Sequence, residues 1–129
     1  MKLKICVIMN LKINSHKDLE IWIRSIDLVV KTYKLTSSFP EYEKFGLVNQ
    51  MRRASVSVSS NIAEGSGRKS TKEYVNFLYF SVGSLAELDT QYIIAQKLNY
   101  INEIDPLLKE IKSIMLMINS IIKKLQTRI

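Results

Sequence analysis

Two parallel stripes of side chains run through the middle of the chain at helical spacing. Between residues 50 and 68, an apolar stripe and a polar stripe both advance by three and four positions. The apolar stripe is Met51, Ala54 or Ser55, Val58 and Ile62, and the polar stripe is Gln50, Arg53, Ser57, Asn61 and Glu64. Because buried polar groups need hydrogen-bond partners, an ordered polar stripe favours a helix covered on two sides. We interpret this segment as a packing and assembly element.

Helical periodicity continues on both sides of this segment and predicts four helices in all. The first spans residues 17–36, with Ser15 as its N-cap and Asp18 three residues further on. The second spans residues 47–64 and ends at Gly65, which we expect to be a left-handed C-cap. Helices joined by short connections favour an all-α, antiparallel, up-down-up-down four-helix bundle, and we assign it to residues 15–129.

The third and fourth helices have clear starting signals. Ser70 and Glu73 have the spacing of a capping box, and Asp105-Pro106 places a cap before a proline at the first helical position. The fourth helix has an apolar face wider than one core seam requires, which suggests a subunit interface or burial against two neighbours. The predicted apolar faces are Leu19, Trp22, Ile23, Ile26, Val29, Val30 and Tyr33; then Tyr74, Phe77, Leu78, Ser81, Leu85, Leu88, Tyr92 and Ala95; then Leu107, Leu108, Ile111, Ile114, Met115, Ile118, Ile121, Ile122 and Leu125.

Two segments admit other interpretations. Residues 55–59 alternate Ser and Val, as a strand would, although the helical pattern on both sides favours a helix. Residues 1–14 fit no helix well, and we expect a poorly ordered arm. A short strand, or an extension upstream of a start at Met9, are the alternatives for these residues.

The charge balance is basic. The 129 residues carry a formal net charge of +7, which suits an anionic partner, nucleic acid first, and equally suits solubility alone. Between residues 44 and 72, six cations stand against the single acid Glu64. This excess is a candidate nucleic-acid footprint acting through phosphate contacts. The six cations are Lys44, Arg52, Arg53, Arg68, Lys69 and Lys72.

The lone cysteine and the hydropathy of the chain suggest where it works. Cys6 is the only cysteine, so no intrachain disulfide can form, and we expect a reducing cytoplasm. The chain has no run of ~18 apolar residues, so the sequence predicts no membrane span.

The sequence contains no recognisable catalytic or metal-binding motif. His16 is the only histidine, which predicts no catalytic triad, no metal site and no bound cofactor. Residues 65–70 lack the glycine spacing of a phosphate-binding loop, although an anion beside this helix start remains an alternative to a simple capped loop. We expect Arg52 or Arg53 to pair with Glu87, within a subunit or across two. His16 precedes every arginine, so the arginine-then-histidine order of helical ribonucleases of the HEPN group is absent.

Several blocks of the sequence resemble the four-helix-bundle family encoded by intervening sequences of bacterial 23S rRNA genes. The most specific block is Ser60-Asn61-Ile62-Ala63-Glu64-Gly65, preceded by Gln50-Met51-Arg52-Arg53-Ala54. The resemblance covers roughly residues 17–100. The other matching pieces are Asp18-Leu19-Glu20-Ile21-Trp22, Phe39-Pro40, Phe45-Gly46-Leu47, Arg68, Gly83-Ser84 and Glu87-Leu88-Asp89-Thr90.

The resemblance implies a bundle that assembles as a ring, commonly a homopentamer. It also implies similarity to the accessory protein of diversity-generating retroelements, which is basic and works with nucleic acid. No catalytic residues carry over. We take Gln50, Arg53, Ser60, Asn61, Glu64, Gly65 and Glu87 as structural or interface residues, and Arg52, Arg68, Lys69 and Lys72 as candidate RNA contacts.

Three functional classes follow from these observations. The first is a non-enzymatic, cytoplasmic, oligomeric bundle that binds RNA or a ribonucleoprotein and has no small-molecule substrate. The second is a protein-binding scaffold without nucleic-acid contact, which the width of the fourth apolar face suggests. The third, a small helical ribonuclease, lacks its motif.

Overall fold

The computed structural model describes residues 15–129, and in this range every regular element is helical. The predicted arm, residues 1–14, lies outside the described residues. Four α-helices follow one another along the chain: α1 (Glu20–Thr36), α2 (Leu47–Ser66), α3 (Thr71–Lys97) and α4 (Asp105–Gln126). Short 3₁₀ helices precede α1 (His16–Asp18) and α2 (Glu41–Glu43). Residues 55–59 lie inside α2, so the predicted helix is confirmed there and the alternative of a strand is excluded.

The helices pack as a closed ring of neighbours. α1 contacts α2, α2 contacts α3, α3 contacts α4, and α4 returns to contact α1. Because short connections join them, consecutive helices run in opposite directions. The predicted four-helix bundle is therefore confirmed. No described helix combines the length and apolar character needed to cross a membrane.

α3 and α4 bury the faces that their sequences predict. The predicted apolar residues of both helices are buried or half-buried, with Leu78, Leu85, Ile114 and Ile118 fully inaccessible to solvent. The wide face of α4 thus packs against neighbours in its own chain. This result removes the reason for which that face suggested a subunit interface.

α1 buries a different face from the one predicted. Its buried residues are Ile21, Ser25, Leu28, Thr32 and Thr36. The predicted face is only half-buried at Trp22, Ile26 and Val29, and it is exposed at Ile23, Val30 and Tyr33. Each buried hydroxyl has a partner: Ser25 and Thr36 donate to carbonyls of their own helix, and Thr32 bonds the Tyr92 hydroxyl at 2.8 Å. Hydrogen bonding makes burial of these polar residues tolerable.

The helix ends match the predictions unevenly. The Ser70 cap is confirmed, because its hydroxyl accepts from the Glu73 backbone N–H at 3.1 Å. Ser15 does not cap α1: it accepts from Lys17 N–H in the 3₁₀ turn, and Leu19 occupies the N-cap position. Asp105 is already the first residue of α4, so Ile104 precedes it as the cap. A sequence signal for a turn does not distinguish a 3₁₀ from an α start.

Gly65 is not the left-handed cap that its sequence position suggests. It lies within α2, which continues to Ser66, and no glycine of the described residues has a positive φ. A Cβ added at Gly65 would stand 2.6 Å from the Cβ of Phe77 and 3.0 Å from Cδ1 of Tyr74. The glycine is therefore needed for the close approach of α2 and α3.

Candidate nucleic-acid interface

The six clustered cations divide into three at the α2–α3 connection and three nearer the opposite end of the bundle. Arg68, Lys69 and Lys72 stand in the α2–α3 connection and the first turn of α3, and Lys69 and Lys72 are exposed. Arg52 lies fourteen residues before Ser66, the last residue of α2, which corresponds to about 21 Å along the helix axis. The structure thus brings Arg68, Lys69 and Lys72 together and places Arg52 elsewhere.

The last turn of α4 adds cations beside this connection. Gln126 Nε2 donates to the Tyr79 hydroxyl at 3.1 Å, which fixes the end of α4 against the early turns of α3. We name residues 64–73 and 123–129 the basic end. It carries six cations against two acids, Glu64 and Glu73. The cations are Arg68, Lys69, Lys72, Lys123, Lys124 and Arg128.

Within the basic end, Arg68 is held in position and the lysines are not. The Arg68 guanidinium pairs with Glu64 at 3.3 Å and lies 4.8 Å from the centre of the Phe77 ring. Lys69, Lys72, Lys123 and Lys124 form no ion pair within residues 15–129. An exposed ammonium without a carboxylate partner keeps its full charge available to a phosphate.

Arg52 has a structural environment at the other end of α2. Its Nε donates to Thr36 Oγ1 at 3.0 Å, and its Nη2 donates to the Tyr33 carbonyl at 3.3 Å. The guanidinium also stacks over the Tyr33 ring at 4.6 Å. These contacts tie α2 to the end of α1, so Arg52 acts first as a clamp between two helices.

The opposite end of the bundle has a different chemistry. We name residues 37–46 and 97–105 the loop end. Its sequence carries four acids, Glu41, Glu43, Glu103 and Asp105, against Lys44 and Lys97. Two aromatic side chains protrude there, with Tyr42 78% and Phe45 87% exposed. The basic character of the chain is therefore concentrated at one end.

The polar stripe of α2 is half-buried only at its middle. Asn61 donates from Nδ2 to the Ser57 carbonyl at 2.8 Å, and Ser84 on α3 donates to the Ser57 hydroxyl at 2.9 Å. Gln50, Arg53, Ser60 and Glu64 are exposed. The interpretation of α2 as a helix covered on two sides is thus wrong for a single chain. The apolar stripe itself is confirmed as core.

Neither Arg52 nor Arg53 pairs with Glu87 inside the chain. The ion pairs of residues 15–129 are Arg24–Glu110 at 2.8 Å and Arg68–Glu64. Arg53 and Glu87 are both exposed and have no partner in that range. The predicted pairing within a subunit is wrong, and pairing across two subunits stays a prediction.

Sequence reasoning missed the contribution of α4. Lys123, Lys124 and Arg128 lie more than fifty residues from Lys72, so a window along the chain separates them. The up-down topology carries the signal, because the second connection and the end of the fourth helix share one end of such a bundle.

The described residues offer no group of metal ligands, and two open grooves lie away from the basic end. No three His, Cys, Asp or Glu side chains of residues 15–129 are placed to hold a metal ion. Grooves of about 570 and 550 Å³ run along α3–α4 and α1–α4, lined by Leu108 and Met115 in the first and by Leu35 and Leu107 in the second.

Burial raises the pKa of Tyr74 and of Tyr92, and both hydroxyls lie in the core, not at a surface site.

Comparison with known proteins assigns the fold to a family. The family model described as 23S rRNA-intervening sequence protein matches residues 17–120, which include all four helices up to the last turns of α4. No curated protein matches significantly. The family match covers most of the chain, and the fold that the resemblance implies is the fold observed. The chain therefore belongs to the 23S rRNA-intervening sequence protein family.

Proposed function

We propose that this protein is a non-enzymatic, self-assembling helical bundle that binds RNA, or a ribonucleoprotein, through its basic end. The observation that carries the proposal is the clustering of six cations on two segments that meet at one end of the bundle. Phosphates attract such a cluster whatever the base sequence, because the contacts are made to the backbone. The family name refers to an intervening sequence of 23S rRNA and names no binding partner, so the proposal rests on the charge of the basic end.

Arg68 and the two lysines of the basic end have different roles in this proposal, because their contacts differ. Arg68 is fixed by Glu64 and Phe77, so it presents its guanidinium in a defined position. Lys69 and Lys72 are free to follow the phosphates of a flexible chain. Removing the two lysines should lower affinity without unfolding the protein, since both side chains are exposed.

The test compares two double variants with equal loss of charge. Lys69→Gln with Lys72→Gln removes two positive charges from the basic end, and Lys44→Gln with Lys97→Gln removes two positive charges from the loop end. RNA affinity is measured by fluorescence anisotropy across a salt series. Each lost phosphate contact reduces the slope of log affinity against log salt by about 0.7 for a single strand. We expect the first variant to lose about 1.4 in slope and the second to keep the slope of the wild type.

Two results would overturn the RNA proposal. One is an RNA affinity that does not change with salt, because phosphate contacts release counterions. The other is an equal loss for both double variants, which would mean that net charge alone determines binding.

A protein-binding scaffold is the second candidate, and the loop end favours it. Tyr42 and Phe45 are large, exposed and aromatic, as residues at protein interfaces often are. Capture of one defined protein by the Arg68→Glu, Lys69→Glu variant, at the strength of the wild type, would support this function. Loss of that capture in a Tyr42→Ser, Phe45→Ser variant would place the contact at the loop end.

A further inference from the structure

The groove between α1 and α4 combines an apolar lining with two cations. Leu35, Pro106 and Leu107 supply the apolar surface. Lys31 and Lys34 line the same groove, and both side chains are exposed. Neither lysine forms an ion pair within residues 15–129. The two ammonium groups therefore stand beside an apolar surface with their charge not neutralised by the described chain.

Among the described residues that line this groove, Glu110 is the only acid, and it is already paired. Its Oε1 accepts from Arg24 Nε at 2.8 Å. Arg24 lies about two turns before Lys31 on α1, and Glu110 lies about one turn after Pro106 on α4. The Arg24–Glu110 pair therefore joins the two helices on the side of the groove away from the loop end. Because Glu110 is engaged by Arg24, it does not offset the charge of the two lysines.

The groove between α3 and α4 has a similar size and a different balance of charge. It measures about 570 Å³, against about 550 Å³ for the α1–α4 groove. Asp89 and Asp105 line it together with Lys109 and Lys112, so its formal charges cancel. Charge complementarity therefore favours an anion in the α1–α4 groove and neither sign of charge in the α3–α4 groove.

The dimensions of the α1–α4 groove fit a small molecule better than a protein helix. Its lining comes from residues 31–35 and 106–110, which is about 6 Å of helix axis on each side. The apolar anchors of a helix bound in a groove extend over about two turns, or about 11 Å. The volume of about 550 Å³ lies within the usual range of small-molecule sites, about 300–1,000 Å³.

We propose that the α1–α4 groove binds a small organic anion in which a single carboxylate is joined to a compact apolar body, as in an aryl carboxylate. The apolar body lies against Leu35, Pro106 and Leu107. The carboxylate lies between the ammonium groups of Lys31 and Lys34. Both can reach it, because residues three apart on a helix have Cβ atoms about 5–6 Å apart. The groove is separate from the basic end, so this inference does not depend on RNA binding.

Three naphthalene derivatives of similar size test the charge of the ligand. Naphthylacetate is an anion at neutral pH, naphthylethanol is uncharged and naphthylethylamine is a cation. Binding to the full chain is measured by the shifts of the Leu35 and Leu107 methyl resonances in NMR titrations, which distinguish this groove from other surfaces. We expect naphthylacetate to bind about threefold to tenfold more tightly than naphthylethanol, because two exposed ion pairs are gained. Naphthylethylamine should bind most weakly.

Matched double variants test the two lysines. Lys31→Gln with Lys34→Gln removes two positive charges from the α1–α4 groove, and Lys109→Gln with Lys112→Gln removes two from the α3–α4 groove. We expect the first variant to bind naphthylacetate about threefold to tenfold more weakly than the wild type, and the second to bind it equally well. Lys31→Arg with Lys34→Arg keeps both charges and should keep the affinity. All four lysines are exposed, so every variant should retain the melting temperature of the wild type.

Several results would overturn this site. Naphthylacetate that shifts neither methyl group does not bind in the groove, and equal affinity for the three compounds would mean that the lysines do not select an anion. Equal weakening in the two glutamine variants would mean that net charge alone determines binding. The mass of the protein is also measured by sedimentation with and without naphthylacetate. A fall in mass that the anion causes would mean that a second copy of the chain, and not a small molecule, occupies the groove.

Discussion

α1 and α4 are neighbours in the bundle, and they differ in how many of their apolar side chains they bury. α4 turns seven of them fully inward and leaves Leu116 as its one strongly exposed apolar side chain. α1 keeps Ile23, Val30 and Tyr33 more than two-fifths exposed and buries three hydroxyls, those of Ser25, Thr32 and Thr36. The comparison shows that an apolar stripe does not by itself decide which side of a helix faces the core.

The buried hydroxyls of α1 are tolerated because their partners are close. Two of them donate to carbonyls within their own helix, and the third meets the Tyr92 hydroxyl. Ile23 and Val30, left outside, are then available for contacts beyond the chain, whereas the Tyr33 ring is stacked under Arg52. An apolar patch of moderate size on a monomer is commonly a site of association.

The largest expected effect on stability comes from an alanine substitution on the buried side of α1, compared with one on its exposed side. Leu28 is fully buried, and Leu28→Ala should lower the free energy of unfolding by about 2–5 kcal/mol through lost burial and a cavity. Val30 is 46% exposed, so Val30→Ala should change it by less than about 0.5 kcal/mol. Urea unfolding at one fixed protein concentration measures both, since association would add a concentration-dependent part.

Equal losses in the free energy of unfolding for these two variants would contradict the difference between the two sides of α1. They would mean that Val30 is covered, as the predicted apolar face has it, although it is 46% exposed in the single chain.

A second pair of variants tests whether hydrogen bonding sustains the buried polar groups. Tyr92→Phe removes the partner of the Thr32 hydroxyl and should cost about 1–3 kcal/mol. Tyr74→Phe is the matched control, because the Tyr74 hydroxyl is buried and has no partner among residues 15–129. It should leave stability unchanged or raise it, since no bond is lost and a polar group leaves the core. Thermal unfolding of both variants would contradict this reasoning if their melting temperatures fell equally.

The sequence predicts α3 and α4 well and α1 poorly for a physical reason. On α4 a single stripe is apolar and only Leu116 competes with it from outside. On α3 the predicted stripe forms the core, although Tyr79, Phe80 and Ile94 are also apolar and are exposed. On α1 the stripe through Ile23 and Val30 competes with the stripe through Ile21 and Leu28. The buried stripe includes Thr32, whose hydrogen-bond partner Tyr92 lies sixty residues away, so no local pattern contains that contact.

The candidate site shows the same limit. The cations of the α2–α3 connection are adjacent in sequence and remain adjacent in the fold. Arg52 is close to them in sequence, yet it lies about 21 Å along the axis from the end of α2 that carries this connection. The contacts of Arg52 with Thr36 and Tyr33 are long-range, so no local pattern predicts them.

The pH dependence of stability provides a further test of the Tyr74→Phe variant. Burial raises the pKa of Tyr74 in the folded protein above its ordinary value of about 10. Above that ordinary value the unfolded chain ionises while the folded chain keeps its proton, so stability falls as the pH rises and is constant below it. The loss approaches about 1.4 kcal/mol per pH unit for each such tyrosine. Tyr74→Phe should therefore show a shallower decline between pH 10 and 11 than the wild type, by urea unfolding, and an equal decline would refute the cause.

The smallest effect concerns the polar contact that joins α1 to α4. Arg24 donates to Glu110 at 2.8 Å and to Ser113 at 2.8 Å, and the Glu110 hydrogen bond raises the pKa of Arg24. Both charged side chains are about a quarter exposed, so solvent screens the pair. Glu110→Gln should cost less than about 1 kcal/mol in low salt, and its difference from the wild type should shrink in 1 M salt. Glu41→Gln, which removes an exposed carboxylate at the loop end, serves as the control and should show no such difference. A loss above about 2 kcal/mol that salt does not reduce would mean that this contact, and not the apolar face of α4, holds the two helices together.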